Sequence, residues 1–262
     1  MRQIICRQLL RAFCSMVCAA GLAATEQAQA LAVSKPALVA AAANLQPALA
    51  ELVPLFEREH AGRIGVTLGS SANLVRQIQQ GLPAELFLSA DEDFALRLAD
   101  AGLTLDRGTV YATGRIVVLV PAGSPVALDP QLDGLKAALP RIRKFAIANP
   151  ELAPYGRAAV RALQKLELWP AVEPKLVVGE NIAQATQFVA TGAAQAGITA
   201  LSLVLVPGME AQVRYLLIPA ELHAPLRQRM VLLKNATPAA RAFYDFLRSP
   251  AAKAVLARHG YS

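Results

Sequence analysis

The sequence predicts an α/β protein: two α/β lobes with mainly parallel sheets, joined by two crossing strands. Three observations carry this. Short apolar runs alternate with amphipathic helical segments over most of the chain, the pattern of strand–helix units with short loops. One run, Arg115-Ile116-Val117-Val118-Leu119-Val120, is apolar without alternation and suits a strand buried on both faces. The segment Pro121-Ala122-Gly123-Ser124-Pro125 then interrupts the alternation, so this strand reads as the first crossing between lobes. Arg229-Met230-Val231-Leu232-Leu233 reads as the return crossing, after which the C-terminal helices rejoin the first lobe. The lobes are thus expected at 31–116 with 229–262, and at 117–228.

The elements follow in order. Strands are expected at Leu38–Ala42, Ile64–Leu68, Leu86–Ser89, Ile116–Val120, Phe145–Ala148, Leu176–Val178, Ala196–Thr199, Tyr215–Ile218 and Met230–Leu233. Helices are expected at Leu45–Glu59, Ala72–Gln80, Glu92–Ala101, Gly156–Leu166, Ile182–Ala190, Pro238–Leu247 and Ala251–His259.

The first thirty residues carry an address. Arg2, Arg7 and Arg11 precede an uncharged apolar stretch, Ala12–Ala24, and Ala28-Gln29-Ala30 supplies a small-x-small cleavage pattern. This reads as a secretory signal peptide, residues 1–30, cut after Ala30, and it predicts an exported protein. The apolar stretch is too short for a stable membrane anchor. Cys6, Cys14 and Cys18 all fall within residues 1–30, so the mature chain is expected to have neither a disulfide nor a cysteine–metal framework. Cys18 follows Met16-Val17, whereas lipoprotein processing favours a small residue there.

The full chain has 26 basic and 19 acidic residues, a net charge of +7. Without Arg2, Arg7, Arg11 and Glu26 the balance is 23 to 18. The basic residues are scattered, and the densest group, Arg141-Ile142-Arg143-Lys144, has no interleaved aromatics. Nucleic-acid binding is therefore not expected, while a mild preference for anions is.

Four strand-to-helix corners share one chemistry. Asn44 stands at an N-cap position in Ala43-Asn44-Leu45-Gln46-Pro47, and Ser70 or Ser71 does so in Gly69-Ser70-Ser71-Ala72-Asn73. Tyr155 arrives at a helix start after Asn149-Pro150-Glu151-Leu152-Ala153-Pro154, and Ile182 opens a helix after Gly179-Glu180-Asn181. Helix N-termini expose unpaired N–H groups and the positive end of the helix dipole, so such corners either cap a helix or hold an anion. In open α/β sheets ligands bind at the carboxyl ends of strands, where these corners gather.

Catalytic chemistry has few candidates. His60, His223 and His259 lack partners at metal-ligand spacing and read as solvated surface. There is no serine nucleophile elbow and no phosphate loop with its lysine. Asp91-Glu92-Asp93 reads as a helix N-terminus whose acids complement the dipole. An enzyme is not expected. A secreted hydrolase would need a nucleophile or metal site, and the effector lobe of a transcription regulator conflicts with the export signal.

At these residues the chain resembles the periplasmic molybdate-binding proteins of ABC transporters. The stretches that carry the resemblance are Ala40-Ala-Ala-Ala-Asn44-Leu45, Gly69-Ser-Ser-Ala-Asn-Leu-Val-Arg-Gln-Ile78, Gly81-Leu-Pro-Ala-Glu-Leu-Phe-Leu-Ser-Ala-Asp91, Ala148-Asn149-Pro150 to Gly156, Gly179-Glu-Asn-Ile-Ala-Gln-Ala185 and Ala242-Phe-Tyr-Asp-Phe-Leu247. The resemblance implies a type II periplasmic binding protein, monomeric and without a cofactor. It also implies that a tetrahedral oxyanion, molybdate or tungstate, is held between the lobes and passed to a membrane permease. It implies ligand contacts at Asn44, Ser71, Tyr155 and Ile182, with Ile182 acting through its backbone N–H. Another oxyanion or small organic anion is the alternative cargo. One departure stands out: many members have a tyrosine in a Gly-Ile-Val-Tyr pattern where this chain has Gly197-Ile198-Thr199-Ala200. The Tyr155 hydroxyl is the expected substitute.

Overall fold

The computed structural model describes residues 35–262. The expected signal peptide, with its three cysteines, lies outside the described residues. The chain runs β1 (Ala37–Ala42), a 3-10 turn (Ala43–Leu45), α1 (Gln46–Glu59), β2 (Ile64–Gly69), α2 (Ser71–Gln79), β3 (Leu86–Leu88), α3 (Glu92–Asp100) and β4 (Thr109–Gly114). It continues with β5 (Ile116–Pro121), α4 (Asp133–Ala138), β6 (Phe145–Ala148), α5 (Pro154–Lys165), α6 (Trp169–Val172), β7 (Leu176–Gly179), α7 (Ile182–Ala190), β8 (Ala196–Ala200), α8 (Leu201–Val204) and β9 (Val213–Leu217). It closes with β10 (Leu226–Leu232), α9 (Pro238–Phe246) and α10 (Pro250–Arg258).

Two five-stranded sheets result, in the orders β2-β1-β3-β10-β4 and β7-β6-β8-β5-β9. Each is the centre of one lobe. The parallel pairs come from the strand–helix units: β1 with β2 and β3 in the first sheet, β6 with β7 and β8 in the second. The strands that carry the chain between lobes run against them. β5 is antiparallel to β8 and β9, and β10 is antiparallel to β3 and β4. Both sheets are therefore mixed.

The chain leaves the first sheet after Gly114 and enters the second at Ile116, so Arg115 alone separates the two. The return strand pairs with β4 from Leu226, three residues before the Arg229 suggested by the apolar run.

Both sheets are covered on both faces, which is why their central strands read as continuous apolar runs. In β3, Leu86 and Leu88 join the cluster around Phe56 and Phe243, while Phe87 joins the cluster around Leu74, Val75 and Phe94. In β5, Ile116, Val118 and Val120 face one cluster, while Val117 and Leu119 face another. α1 shows how a helix meets this core: Ala48, Leu49, Leu52 and Phe56 recur at helical spacing and are buried, and Pro47 stands in the first turn, where no N–H is needed.

The chain end also matters to the site. Ser262 pairs with Thr113 through both backbone groups, at 2.6 and 3.1 Å. This lays the C-terminus along β4 and turns Tyr261 inward, 6% exposed.

Candidate functional site

The corners named from sequence sit at the ends of β1, β2, β6 and β7, two from each lobe. Asn44, Ser71, Tyr155 and Ile182 are all at most 3% exposed. One cluster of buried side chains takes Ala42, Ala43 and Ala90 from the first lobe together with Ala153, Tyr155 and Ile182 from the second. The Ala72 N–H donates across the lobes to the Leu152 carbonyl at 3.1 Å.

These corners are sparsely capped. Ser70 occupies the N-cap position of α2, but its hydroxyl makes no capping bond and is buried without a partner. The Ser71 Oγ accepts from the Ala90 N–H at 3.1 Å, which leaves the Ser71 hydroxyl proton uncommitted. α5 opens without a side-chain cap. Asn181 does cap α7, accepting from the Gln184 N–H at 3.1 Å, but Ile182 at the first position is not served by that bond. The backbone N–H groups of Asn44, Ser71, Tyr155 and Ile182 all lie in first turns, where a helix supplies no acceptor. None of the four finds one elsewhere among the described residues. Buried unpaired donors are rare in folded proteins and ask for an explanation.

Asn44 differs from its sequence reading. It is not an N-cap: it lies inside the 3-10 turn, and Leu45 takes the cap position of α1. Its side-chain amide is not free either, because Nδ2 donates to Gln228 Oε1 at 3.1 Å and to the Tyr261 hydroxyl at 2.9 Å. Its carbonyl accepts from Ser202 and from Tyr261, both at 2.8 Å. What Asn44 keeps uncommitted is its backbone N–H and its buried Oδ1.

Behind the corners lies a polar network that sequence reasoning missed. Gln228 is fully buried on β10. Its Oε1 also accepts from the Tyr111 hydroxyl at 2.9 Å, and its Nε2 donates to the Tyr155 hydroxyl at 2.9 Å. A β-bulge positions Tyr111: Gln228 pairs with Ala112 and Arg229 with Val110, so Tyr111 is the extra residue, turned in toward Gln228. Burial pushes the hydroxyl pKa of Tyr111, Tyr155 and Tyr261 upward, so all three stay protonated and keep a hydrogen to donate. One signal for Gln228 was present in the sequence. In Leu226-Arg227-Gln228-Arg229-Met230 the alternation sends Leu226, Gln228 and Met230 inward, which puts an amide on a core face.

The remaining polar residues have local roles. Asp91 caps α3, accepting from the Phe94 N–H at 3.1 Å, and also pairs with Arg157 of the other lobe. Glu92 holds Arg229 at 2.6 Å and Arg227 at 2.7 Å, which lowers its pKa. Arg76 turns to Asn73 on the surface. His60 is exposed and stacks on Phe56. His223 contradicts its reading as solvated surface. It lies in the second connection between lobes and is 5% exposed, because Nδ1 bonds the Ala224 carbonyl at 2.7 Å and the ring packs inward.

Comparison with known proteins agrees with this architecture. Residues 37–262 match the family model described as bacterial extracellular solute-binding protein. The molybdate-binding protein ModA of Azotobacter vinelandii is 38% identical over 226 residues, covering 85% of this chain and 88% of that protein. The ModA of Rhodobacter capsulatus is 36% identical, covering 86% and 87%. The solved structure of the Azotobacter vinelandii periplasmic molybdate-binding protein superposes with a TM-score of 0.78 at 29% identity, covering 86% of this chain and 98% of that one. The sulfate-binding protein SubI of Mycobacterium tuberculosis shares the fold at a TM-score of 0.73 and 18% identity, covering 87% and 86%. The fold, the paired corners and these relatives together establish that the chain belongs to the bacterial extracellular solute-binding proteins, in the family that includes the ModA proteins.

Proposed function

We propose that this protein captures molybdate, or tungstate in its place, between its two lobes and delivers it to the permease of an ABC transporter. The observation that supports this best is the set of buried, unpaired first-turn N–H groups at Asn44, Ser71, Tyr155 and Ile182, drawn equally from both lobes. The hydroxyl protons of Ser71 and Tyr155 add to them. In this reading Asn44 and Ile182 act through the backbone, and Ser71 and Tyr155 through backbone and hydroxyl together. The Tyr155 hydroxyl replaces the tyrosine that many relatives carry at the position of Ala200.

Neutral donors at helix N-termini stabilise a buried dianion without a matching arginine or lysine. Molybdate, tungstate and sulfate are fully deprotonated at neutral pH. Hydrogen phosphate brings a proton, and no carboxylate belongs to this set of groups. An unpaired proton costs about 1–3 kcal/mol. Discrimination against sulfate then rests on size, molybdate and tungstate being the larger anions. The reading includes export to the periplasm with cleavage after Ala30, lobes divided at Arg115 and within 218–225, a monomeric state, and capture without a catalytic step or a resident cofactor.

A second reading, another oxyanion or a small organic anion, is favoured by one feature. Asn44 Oδ1 is buried without a partner, an acceptor suited to an anion that carries a proton. A thermal-shift panel on residues 31–262 separates the two, since a specific ligand raises the melting temperature by mass action. Molybdate and tungstate are expected to give the largest shifts. A larger shift with phosphate or an organic phosphate carries the second reading instead.

A further inference from the structure

We infer that Gln228 is a positioning residue for the ligand: it occupies the acceptor side of the Tyr155 hydroxyl and so turns the Tyr155 proton toward the bound anion. This rests on the proposed oxyanion site and adds to it a residue that is not at a helix corner. A phenol hydroxyl donates one hydrogen and accepts through its oxygen, so an anion-binding tyrosine works only if its proton is not spent elsewhere. At Tyr155 the oxygen accepts from Gln228 Nε2 at 2.9 Å, and among the described residues its own proton has no acceptor. An amide turned the other way would present Oε1 to Tyr155. The hydroxyl would then donate to Gln228 and show the anion only lone pairs.

The surrounding groups fix which way the amide faces. Gln228 Oε1 is held by two donors, Asn44 Nδ2 at 3.1 Å and the Tyr111 hydroxyl at 2.9 Å, the latter closer than the hydroxyl's other acceptor, the Ser89 carbonyl at 3.3 Å. Asn44 is itself held, since its Nδ2 also donates to the Tyr261 oxygen at 2.9 Å while the Tyr261 proton goes to the Asn44 carbonyl at 2.8 Å. The chain of donors therefore runs one way: Tyr111 and Asn44 to Gln228, Gln228 to Tyr155, and Tyr155 outward. Such directed chains also polarise each successive donor. Gln228 is on β10 in the first lobe and Tyr155 on α5 in the second, so the bond runs from lobe to lobe. Gly114 leaves room for it. A Cβ there would stand 2.1 Å from the Tyr155 hydroxyl and 2.7 Å from Gln228 Nε2.

The test is a double-mutant cycle on molybdate affinity, read by calorimetry on residues 31–262. Gln228→Met keeps the length of the side chain and removes both the donor to Tyr155 and the acceptor of Asn44 and Tyr111, the second loss being common to both backgrounds of the cycle. It is expected to weaken molybdate binding about tenfold in the wild-type background. In the Tyr155→Phe background the same change is expected to cost less than about twofold, because the hydroxyl it orients is gone. A purely structural role would lower affinity equally in both backgrounds, and that result overturns the inference, as does an unchanged affinity in Gln228→Met. Gln228→Glu gives a second readout that does not depend on how well the Met variant packs. Its carboxylate takes the Tyr155 proton, whereas its protonated form donates as the amide does. Binding to Gln228→Glu should therefore strengthen as pH falls from about 8 to 5, burial raising the pKa of the new carboxyl, while the wild type stays flat over that range. Parallel profiles overturn the inference. If the wild type binds no molybdate, the oxyanion reading fails and this inference with it. If it binds and the cycle shows no coupling, the role of Gln228 alone fails.

Discussion

The backbone N–H of Ala72 donates to the carbonyl of Leu152 at 3.1 Å, tying the first turn of α2 in one lobe to the loop before α5 in the other. Two side-chain contacts also join the lobes. Asn73 Nδ2 donates to Glu180 at 2.6 Å, and Arg157 pairs with Asp91. The lobes thus meet directly over the corners, and closure about the crossing segments is the motion such a site requires.

The Arg157–Asp91 pair should contribute modestly to that closure. Arg157 reaches Asp91 and also lies over the Phe94 ring at 5.1 Å, both in the opposite lobe. Its side chain is 39% exposed, so solvent screening holds the pair to about 1 kcal/mol. Arg157→Ala is expected to weaken molybdate binding roughly three- to tenfold with little effect on the melting temperature of the ligand-free protein. Equal affinities for variant and wild type by calorimetry would show that the pair plays no part in closure.

The stability of the connecting segment should depend on pH through His223. Burial pushes its pKa below the ordinary value, and the positive charges of Arg115 and Lys165 push it the same way. A histidine with a depressed folded-state pKa folds best when neutral. Its contribution is present above the unfolded value of about 6.5 and is lost as pH falls through the lower folded value. Glu51 and Glu92, whose pKa values are also lowered, act in a lower window, near the carboxylate range. Urea unfolding should therefore show stability falling between about pH 7 and 5, and His223→Asn should flatten that slope. An identical slope in the variant assigns the effect elsewhere.

Gly114 should tolerate no side chain while Tyr155 keeps its hydroxyl. The 2.1 Å approach to that hydroxyl is with a group held by Gln228, not with a free side-chain end. Gly114→Ala is expected to destabilise the protein by about 1–3 kcal/mol, the cost of overpacking a filled core. Tyr155→Phe removes the clashing oxygen, so the double variant should recover part of the loss. Denaturant midpoints of the three variants decide this, and strict additivity would count against the contact.

Much of the fold can be read from local pattern, and the exceptions have physical causes. Helices α1, α7 and α9 and strands β1, β2 and β6 stand within a residue or two of their sequence-derived bounds, because each carries an apolar periodicity that its packing uses. β4 was missed: Thr109-Val110-Tyr111-Ala112-Thr113-Gly114 has no apolar run, and its bulge breaks the alternation. The start of β10, Leu226–Gln228, was missed because Arg227, Gln228 and Arg229 break the apolar run, whereas in the fold the two arginines point outward to Glu92. The antiparallel direction of β5 and β10 depends on how the chain returns between lobes, which no local pattern encodes. The four corners were legible because each is a contiguous motif. The network behind them was not, since it joins Asn44 to Gln228 and to Tyr261 across 184 and 217 residues.

In the proposed function, a buried set of uncharged donors selects a large, fully deprotonated tetrahedral dianion. Calorimetric titration of residues 31–262 with molybdate, in buffer with and without a large excess of sulfate, tests it most directly. One molybdate per chain is expected, displaced by tungstate and insensitive to sulfate. Sulfate binding as tightly as molybdate, or no heat with either larger anion, would contradict it.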